Sequence, residues 1–283
     1  MIRLLRLNRF PILKQLQIEE ALYRTPNSGN WIIINNGTPE PIVIVGATGK
    51  ADKLVNLDEV ESRGIQTMKR FSGGGTVVAD ENTLFTSILF EFETLKQLFP
   101  TMSSTTTTTT TETTTTSINV GNIYPKDIMN WSANSFYKHV FQEQLDFRLQ
   151  ENDYAFGKQK FGGNAQSFSK HKFLHHTSFL YDFKDDHMMA CLKQPDKIPE
   201  YRQNRDHLSF LCKLKDRYQS KDHIINNLLK TINNLPTSPS IKEVTLEEAE
   251  QFLLNPHPKS NQLFDYNLKN WKDIINEYNP IKN

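Results

Sequence analysis

The sequence predicts an α+β protein built on a mixed, mostly antiparallel sheet flanked by helices. Three observations carry this expectation. β-Branched runs bounded by turn formers recur along the chain, helical segments separate them irregularly rather than in βαβ alternation, and residues 153–183 read as three strands joined by short turns. With 283 residues the chain can bury one substantial core and carry a small appendage.

The elements follow in order. "IRLLRL" (Ile2 to Leu7) reads as a first strand feeding a helix through "LKQLQIEEALYR". Arg3, Arg6, Arg9 and Lys14, with no acid before Glu19, also have the look of a mitochondrial presequence. The helix looks like core, so no cleaved leader is expected and a cytoplasmic location is favoured over a mitochondrial one. "NWIIINNGTPEPIVIVG" reads as two strands joined by a turn at Gly37 to Pro39, and "KADKLVNLDEVESRG" as a helix stopped by Gly64. "IQTMKRF" and "GTVVADENTLFTSILFEF" supply further strand, and "DIMNWSANSFYKHVFQEQL" has helical spacing. The segment "SSTTTTTTTETTTTS" (103–117) has no apolar residue to bury and is expected to be a disordered insertion without function. These assignments give a catalytic-type domain over 1–235 and a short helical appendage over 236–283. In the appendage, "TLEEAEQFLL" opens with a Thr245 to Glu248 capping box, and "YNLKNWKDIINEY" is a second helix.

Charge and cysteine usage exclude several classes. Lysine plus arginine total 33 against 32 for aspartate plus glutamate, so there is no global field to gather nucleic acid or an anionic membrane. No apolar run reaches the roughly 20 residues of a membrane span. Two cysteines, Cys191 and Cys212, are too few for a disulfide framework or a four-thiolate zinc site. "GATGKA" (Gly46 to Ala51) lacks P-loop spacing and the Ser or Thr that would follow its lysine. In "HKFLHH", His175 and His176 point to opposite faces of a strand, which argues against a structural zinc site.

Two basic, glycine-rich stretches remain. In "KRFSGGGTVVAD" (Lys69 to Asp80), three glycines leave backbone N–H groups open to an anion, and Arg70 can fork onto phosphate or carboxylate oxygens; a plain turn between strands is the alternative. In "GKQKFGGNAQ" (Gly157 to Gln166), Lys158 and Lys160 precede Gly162 and Gly163, with Asn164 and Gln166 beside them. Lys158 is expected on the face opposite Lys160.

Together with "END" (Glu151 to Asp153) and "FLHHTSFL" (Phe173 to Leu180), these stretches resemble, in order and spacing, the motifs of the lipoate–protein ligase A group of the biotin and lipoate ligase superfamily. The resemblance covers roughly residues 2–215. It implies a catalytic domain like that of biotin ligases and class II synthetases. It also implies a two-step reaction in which lipoate or octanoate attacks ATP to give acyl-AMP, and the acyl group then passes to a lysine of an acceptor domain. The acceptors implied are lipoyl domains of 2-oxoacid dehydrogenase complexes or a glycine-cleavage carrier protein. Arg70, Gly75, Thr76, Val77 and Val78 are the implied acyl-adenylate site. Lys160 is the catalytic residue, with Ser72, Gly73, Gly74, Asn152, Asp153, Gly162, Gly163, Asn164, Gln166 and His176 in support. Mg²⁺ accompanies ATP, with Asp153 as its nearest candidate ligand.

A lysine is cationic at neutral pH, so Lys160 suits electrostatic stabilisation of phosphate and carbonyl oxygens better than nucleophilic attack. Two departures qualify the likeness. "ATGKAD" lacks the Gln-Asn pair often found after the first glycine, and the roughly 45 residues after Pro236 are too few for the larger accessory domain of bacterial ligases. Activation would then need a separate partner subunit, or the protein would only transfer. Related transferases use a cysteine nucleophile, but Cys191 in "DDHMMACLKQP" reads as a packed helical thiol. A non-catalytic binder of lipoyl groups or nucleotide is the third reading.

Overall fold

The computed structural model describes residues 1–99, 123–194, 198–203 and 205–254. The threonine tract and the helix expected over 266–278 lie outside them. β1 (Ile2–Asn8) runs into α1 (Ile12–Arg24), which crosses to β2 (Asn30–Asn36), and β1 and β2 pair in parallel, as a helical crossover requires. β3 (Ile42–Val45), α2 (Ala51–Leu54), α3 (Leu57–Ser62), β4 (Gln66–Lys69), the two-residue β5 (Gly73–Gly74) and β6 (Val77–Ala79) follow, then β7 (Thr83–Glu91) and α4 (Phe92–Leu98). α5 (Pro125–Trp131) continues through a π-helical stretch, Ser132–Tyr137, into α6 (Lys138–Val140). Next come β8 (Phe147–Gln150), β9 (Asp153–Phe156), β10 (Gln159–Phe168) and β11 (Lys172–Leu180). α7 (Asp185–Cys191), α8 (His207–Phe210), α9 (Lys221–Asn233), β12 (Ile241–Val244) and α10 (Leu246–Leu254) complete the described chain.

The main sheet has the order β12-β1-β2-β7-β11-β10-β9-β8, antiparallel except at β12-β1 and β1-β2, with β5 attached to β10. Its central strands β2, β7 and β11 are almost wholly buried because helices cover both faces. The predicted class, a mixed and mostly antiparallel sheet with flanking helices, is what is found. The Thr245 to Glu248 capping box is also present, with reciprocal hydrogen bonds of 2.9 and 3.3 Å.

Three local expectations are corrected. β2 and β3 form no hairpin; β3 belongs to a separate sheet of order β4-β3-β6. Gly37, at φ +99°, packs on the Glu81 backbone, and Thr38 N donates to the Asp80 carbonyl at 3.2 Å, so the turn leads the chain away from β2. The helix expected over residues 50–64 is two short helices, because Val55 is extended and bridges Leu192. Lys158 is not on a strand. It lies exposed in the turn at Gly157, whereas two residues apart on a regular strand would have shared the face of Lys160.

After Pro236 the chain returns to the core. β12 extends the main sheet through β1, and α10 packs on α1 beside Leu22, Trp31 and Leu253.

Candidate active site

Four elements place the site. β4 delivers Arg70 to the end of the small sheet, where its N–H donates to the Val45 carbonyl at 2.9 Å. The chain then turns so that Gly73 and Gly74 pair with Gln166 and Ala165 of β10. The two stretches that the sequence singles out are thus hydrogen-bonded to each other. Gly74 sits at φ +140°, and a Cβ there would lie 2.6 Å from the Asn164 carbonyl oxygen, so this position admits only glycine. Gly46 packs against the Gly74 carbonyl, and Ala47 N donates to Ser72 O at 3.1 Å, which locks the "ATGK" turn under the glycine loop.

Arg70 is 5 % exposed, and its Nη2 donates to the Gly75 carbonyl at 2.7 Å. Its Nε has no partner among the described residues. Burial pushes the guanidinium down to about 10, partly opposed by the Glu19 carboxylate. A buried, half-satisfied cation beside open backbone amides is what an anionic group would complete.

Lys160 reaches the same cleft because of an irregularity in β10. The β9–β10 register shifts between Lys160 and Gly162, which inserts Phe161 as an extra residue. Phe161 turns into the core and stacks on Phe156 with centroids 4.1 Å apart. Lys160 then shares a face with Gly163, whose built Cβ would be 3.5 Å from Nζ. Lys160 Nζ pairs with Asp153 Oδ1 at 2.8 Å, and Tyr201 OH donates to Asp153 Oδ2 at 2.9 Å. Burial first, then the Asp153 charge, keeps the Tyr201 phenol protonated.

These groups surround a cleft of about 600 Å³. Arg70, Gly73 to Val77, Asn152, Asp153, Lys160, Gly163, Asn164, Gln166 and His176 line it. Three expected site residues do not. Ser72 is buried behind the loop, Val78 is buried in β6 opposite Val43, and Gly162 faces the core, where a Cβ would meet Tyr154 and Phe179 at 3.1 Å. Asn164 and Gln166 act as braces: Asn164 Nδ2 donates to Asn152 O at 3.0 Å, and Gln166 Nε2 lies 3.1 Å from His175 Nδ1. His176 lines the cleft with its Nδ1 held by Glu19 and by Ser87 Oγ at 3.0 Å, an arrangement that periodicity alone does not reveal.

Sequence reasoning missed the segment after Pro199. Arg202, His207, Phe210 and Leu211 line the cleft, and Leu211 bridges Lys160. No motif marks them; their position depends on a return of the chain to β10. Burial, reinforced by the Arg202 and Lys160 charges, pushes the His207 imidazole down to about 4, so it is neutral near pH 7.

Cys191 is fully buried in the cluster of Val55, Leu180 and Met188 and is absent from the cleft lining; burial raises its thiol. For Mg²⁺, Asp153 already gives one oxygen to Lys160 and the other to Tyr201. An ion there would share these oxygens with Lys160 and Tyr201, and among the described residues no group of three His, Cys, Asp or Glu side chains could hold a metal.

The fold with this cleft is that of lipoate–protein ligases. The bipartite lipoate–protein ligase of Thermoplasma acidophilum, solved in work that includes its E2 lipoyl domain, superposes with a TM-score of 0.68 at 21 % identity, covering 95 % of this chain and 94 % of that one. A lipoate–protein ligase A bound with ATP gives 0.67 at 20 % identity, covering 95 % and 97 %. The chain belongs to the lipoyl protein ligase A/B catalytic domain family, whose model matches residues 11–232. Among curated relatives, the inactive lipoate–protein ligase 2 of Plasmodium falciparum is 27 % identical, over 96 % of this chain and 82 % of that protein.

Proposed function

We propose that the protein is a lipoate– or octanoate–protein ligase that forms acyl-AMP from ATP and transfers the acyl group to a lysine of a lipoyl-acceptor domain. The observation that carries this reading is the convergence of the Lys160 ammonium, the buried Arg70 guanidinium and the open backbone at Gly75 on one cleft. In the first step a carboxylate oxygen bonds to the α-phosphorus of ATP and pyrophosphate leaves. In the second, the neutral acceptor amine attacks the acyl carbon, the C–O bond to phosphate breaks, AMP leaves with the electron pair, and the amine nitrogen loses a proton.

Lys160 and Arg70 offset the charge on phosphate and carbonyl oxygens in both steps, and Asp153 with Tyr201 holds Lys160 in place. The hydrophobic lining, with Leu16, Met129 and Phe168, suits a medium-length acyl chain. Lipoyl domains of 2-oxoacid dehydrogenase complexes or a glycine-cleavage carrier are the acceptors proposed.

A transfer-only protein, working from acyl-AMP supplied by a separate activating subunit, is the second reading. The bipartite T. acidophilum relative favours it. Cysteine-dependent transfer is disfavoured by the burial of Cys191.

The experiment compares lipoate-dependent ATP–pyrophosphate exchange with transfer of supplied lipoyl-AMP to a lipoyl domain. Ligase activity gives both, transfer-only activity the second alone. In either case Lys160→Ala should lower the observed rates by about 10²- to 10³-fold with the fold intact. Wild-type protein that does not transfer supplied lipoyl-AMP would overturn both readings, and binding of lipoyl-AMP without transfer would mark a non-catalytic binder.

A further inference from the structure

A buried polar chain runs from the helical layer to the pair formed by Lys160 and Asp153. It starts at the π-helical stretch Ser132–Tyr137, where i→i+5 hydrogen bonding brings residues five apart toward one face of the helix. Ser132 and Tyr137 therefore both point at the sheet. Ser132 Oγ lies 2.6 Å from Tyr154 OH, and Tyr137 OH, 2.6 Å from Thr86 Oγ1, donates to Thr177 Oγ1 at 3.4 Å. Ser132, Tyr137, Tyr154, His175 and Thr177 are all buried.

Gln166 sets the direction of the hydrogens. Its Nε2 donates to His175 Nδ1 at 3.1 Å, so the imidazole, kept neutral by burial, carries its hydrogen on Nε2, which is 3.0 Å from Tyr154 OH and 3.3 Å from Thr177 Oγ1. Thr177 thus faces donors at Tyr137 and His175, and its single hydrogen goes to Asn164 Oδ1 at 2.6 Å. That bond fixes which end of the Asn164 amide donates. Asn164 Nδ2 then holds the Asn152 carbonyl at 3.0 Å, one residue before the Asp153 whose Oδ1 is 2.8 Å from Lys160 Nζ. The turn so held needs outside support, because Glu151 sits at φ +53°, where residues with a side chain are uncommon.

We propose that Thr177 and Asn164 are positioning residues for acyl transfer, holding the Asn152–Asp153 turn so that Asp153 keeps the Lys160 ammonium aimed into the cleft. The inference rests on the electrostatic role proposed for Lys160. Thr177 itself does not line the cleft; it lies on the face of β11 opposite His176 and acts only through Asn164.

The test is a double-mutant cycle on single-turnover transfer of supplied lipoyl-AMP to a lipoyl domain. Thr177→Val should slow transfer roughly 10- to 100-fold, because a small misplacement of a charge-stabilising group acts directly on the rate. Thr177→Ser keeps the hydroxyl and should stay within about threefold of wild type. In Lys160→Ala protein, Thr177→Val should change the residual rate by no more than about twofold, since the residue it positions is gone. Should Thr177→Val unfold, Asn164→Leu removes both side-chain hydrogen bonds at a half-buried position and should show the same dependence on Lys160. Equal slowing with and without Lys160 would assign the chain a purely structural role and overturn the proposal. So would wild-type transfer by folded Thr177→Val protein. Wild-type protein that transfers no lipoyl-AMP would overturn the ligase reading, and this inference with it.

Discussion

Lys160 and Arg70 are ordinary basic residues whose meaning comes from where their charges end up. Arg70 is drawn out of water and Lys160 partly so, and each keeps an incomplete set of partners, Lys160 against Asp153 and Arg70 against the Gly75 carbonyl. Such a pair attracts a phosphate more strongly than solvated lysines on a surface would. Cys191 is the contrary case at the same scale. Its thiol is packed among Val55, Leu180 and Met188, and burial raises its pKa, so the nucleophilic thiolate is suppressed. Cys191→Ser should leave lipoyl transfer within about twofold and lower the melting temperature, because a hydroxyl replaces a thiol in an apolar site. A trapped acyl-thioester on Cys191, detected by mass spectrometry, would contradict this.

At the scale of elements, the glycine loop and β10 act as one unit. Gly74 pairs with Ala165 in a conformation that side chains avoid, whereas a Cβ on Gly75 would meet nothing within 4 Å. Gly74→Ala should therefore destabilise the protein by about 1–3 kcal/mol and weaken adenylate binding through displacement of Arg70. Gly75→Ala should leave chemical denaturation unchanged, so any loss of lipoyl-AMP affinity would report contact with the ligand itself. Denaturant midpoints for the two variants that coincide would refute this division. The Lys160 bulge belongs here too, because a regular β10 would have put Lys160 on the face of Gly162, which turns to the core.

Across the whole molecule, a buried polar layer links cleft to core. His175 is fully buried, with Nε2 3.0 Å from Tyr154 OH, and burial, followed by the neighbouring His176, pushes it down to about 3. Its folded pKa is below the unfolded value near 6.5, so the unfolded chain binds the extra proton as pH falls. Stability from this group is fully present above about pH 6.5 and is lost toward pH 3, with a slope of up to ~1.4 kcal/mol per pH unit. His207, lowered to about 4, adds in the same direction. Urea denaturation between pH 7 and 4 should show this decline, and His175→Gln should flatten it while lowering stability at pH 7. A pH-independent midpoint in the wild type would rule the account out.

The alternation of β-branched runs specified most of the strands, and the ordered glycine, lysine and histidine motifs specified the family and the polar wall of the cleft, because both signals are local in the chain. Tertiary structure decided the rest. The bulge that aims Lys160 depends on Phe161 finding Phe156, the separation of β2 from β3 depends on the Asp80–Glu81 turn, and β12 joins the sheet only because β1 offers it an edge. The role of Thr177 was invisible for the same reason. It comes from Tyr137, Asn164 and Asp153, residues up to 40 positions away that are brought together by helix packing and strand register and not by spacing in sequence.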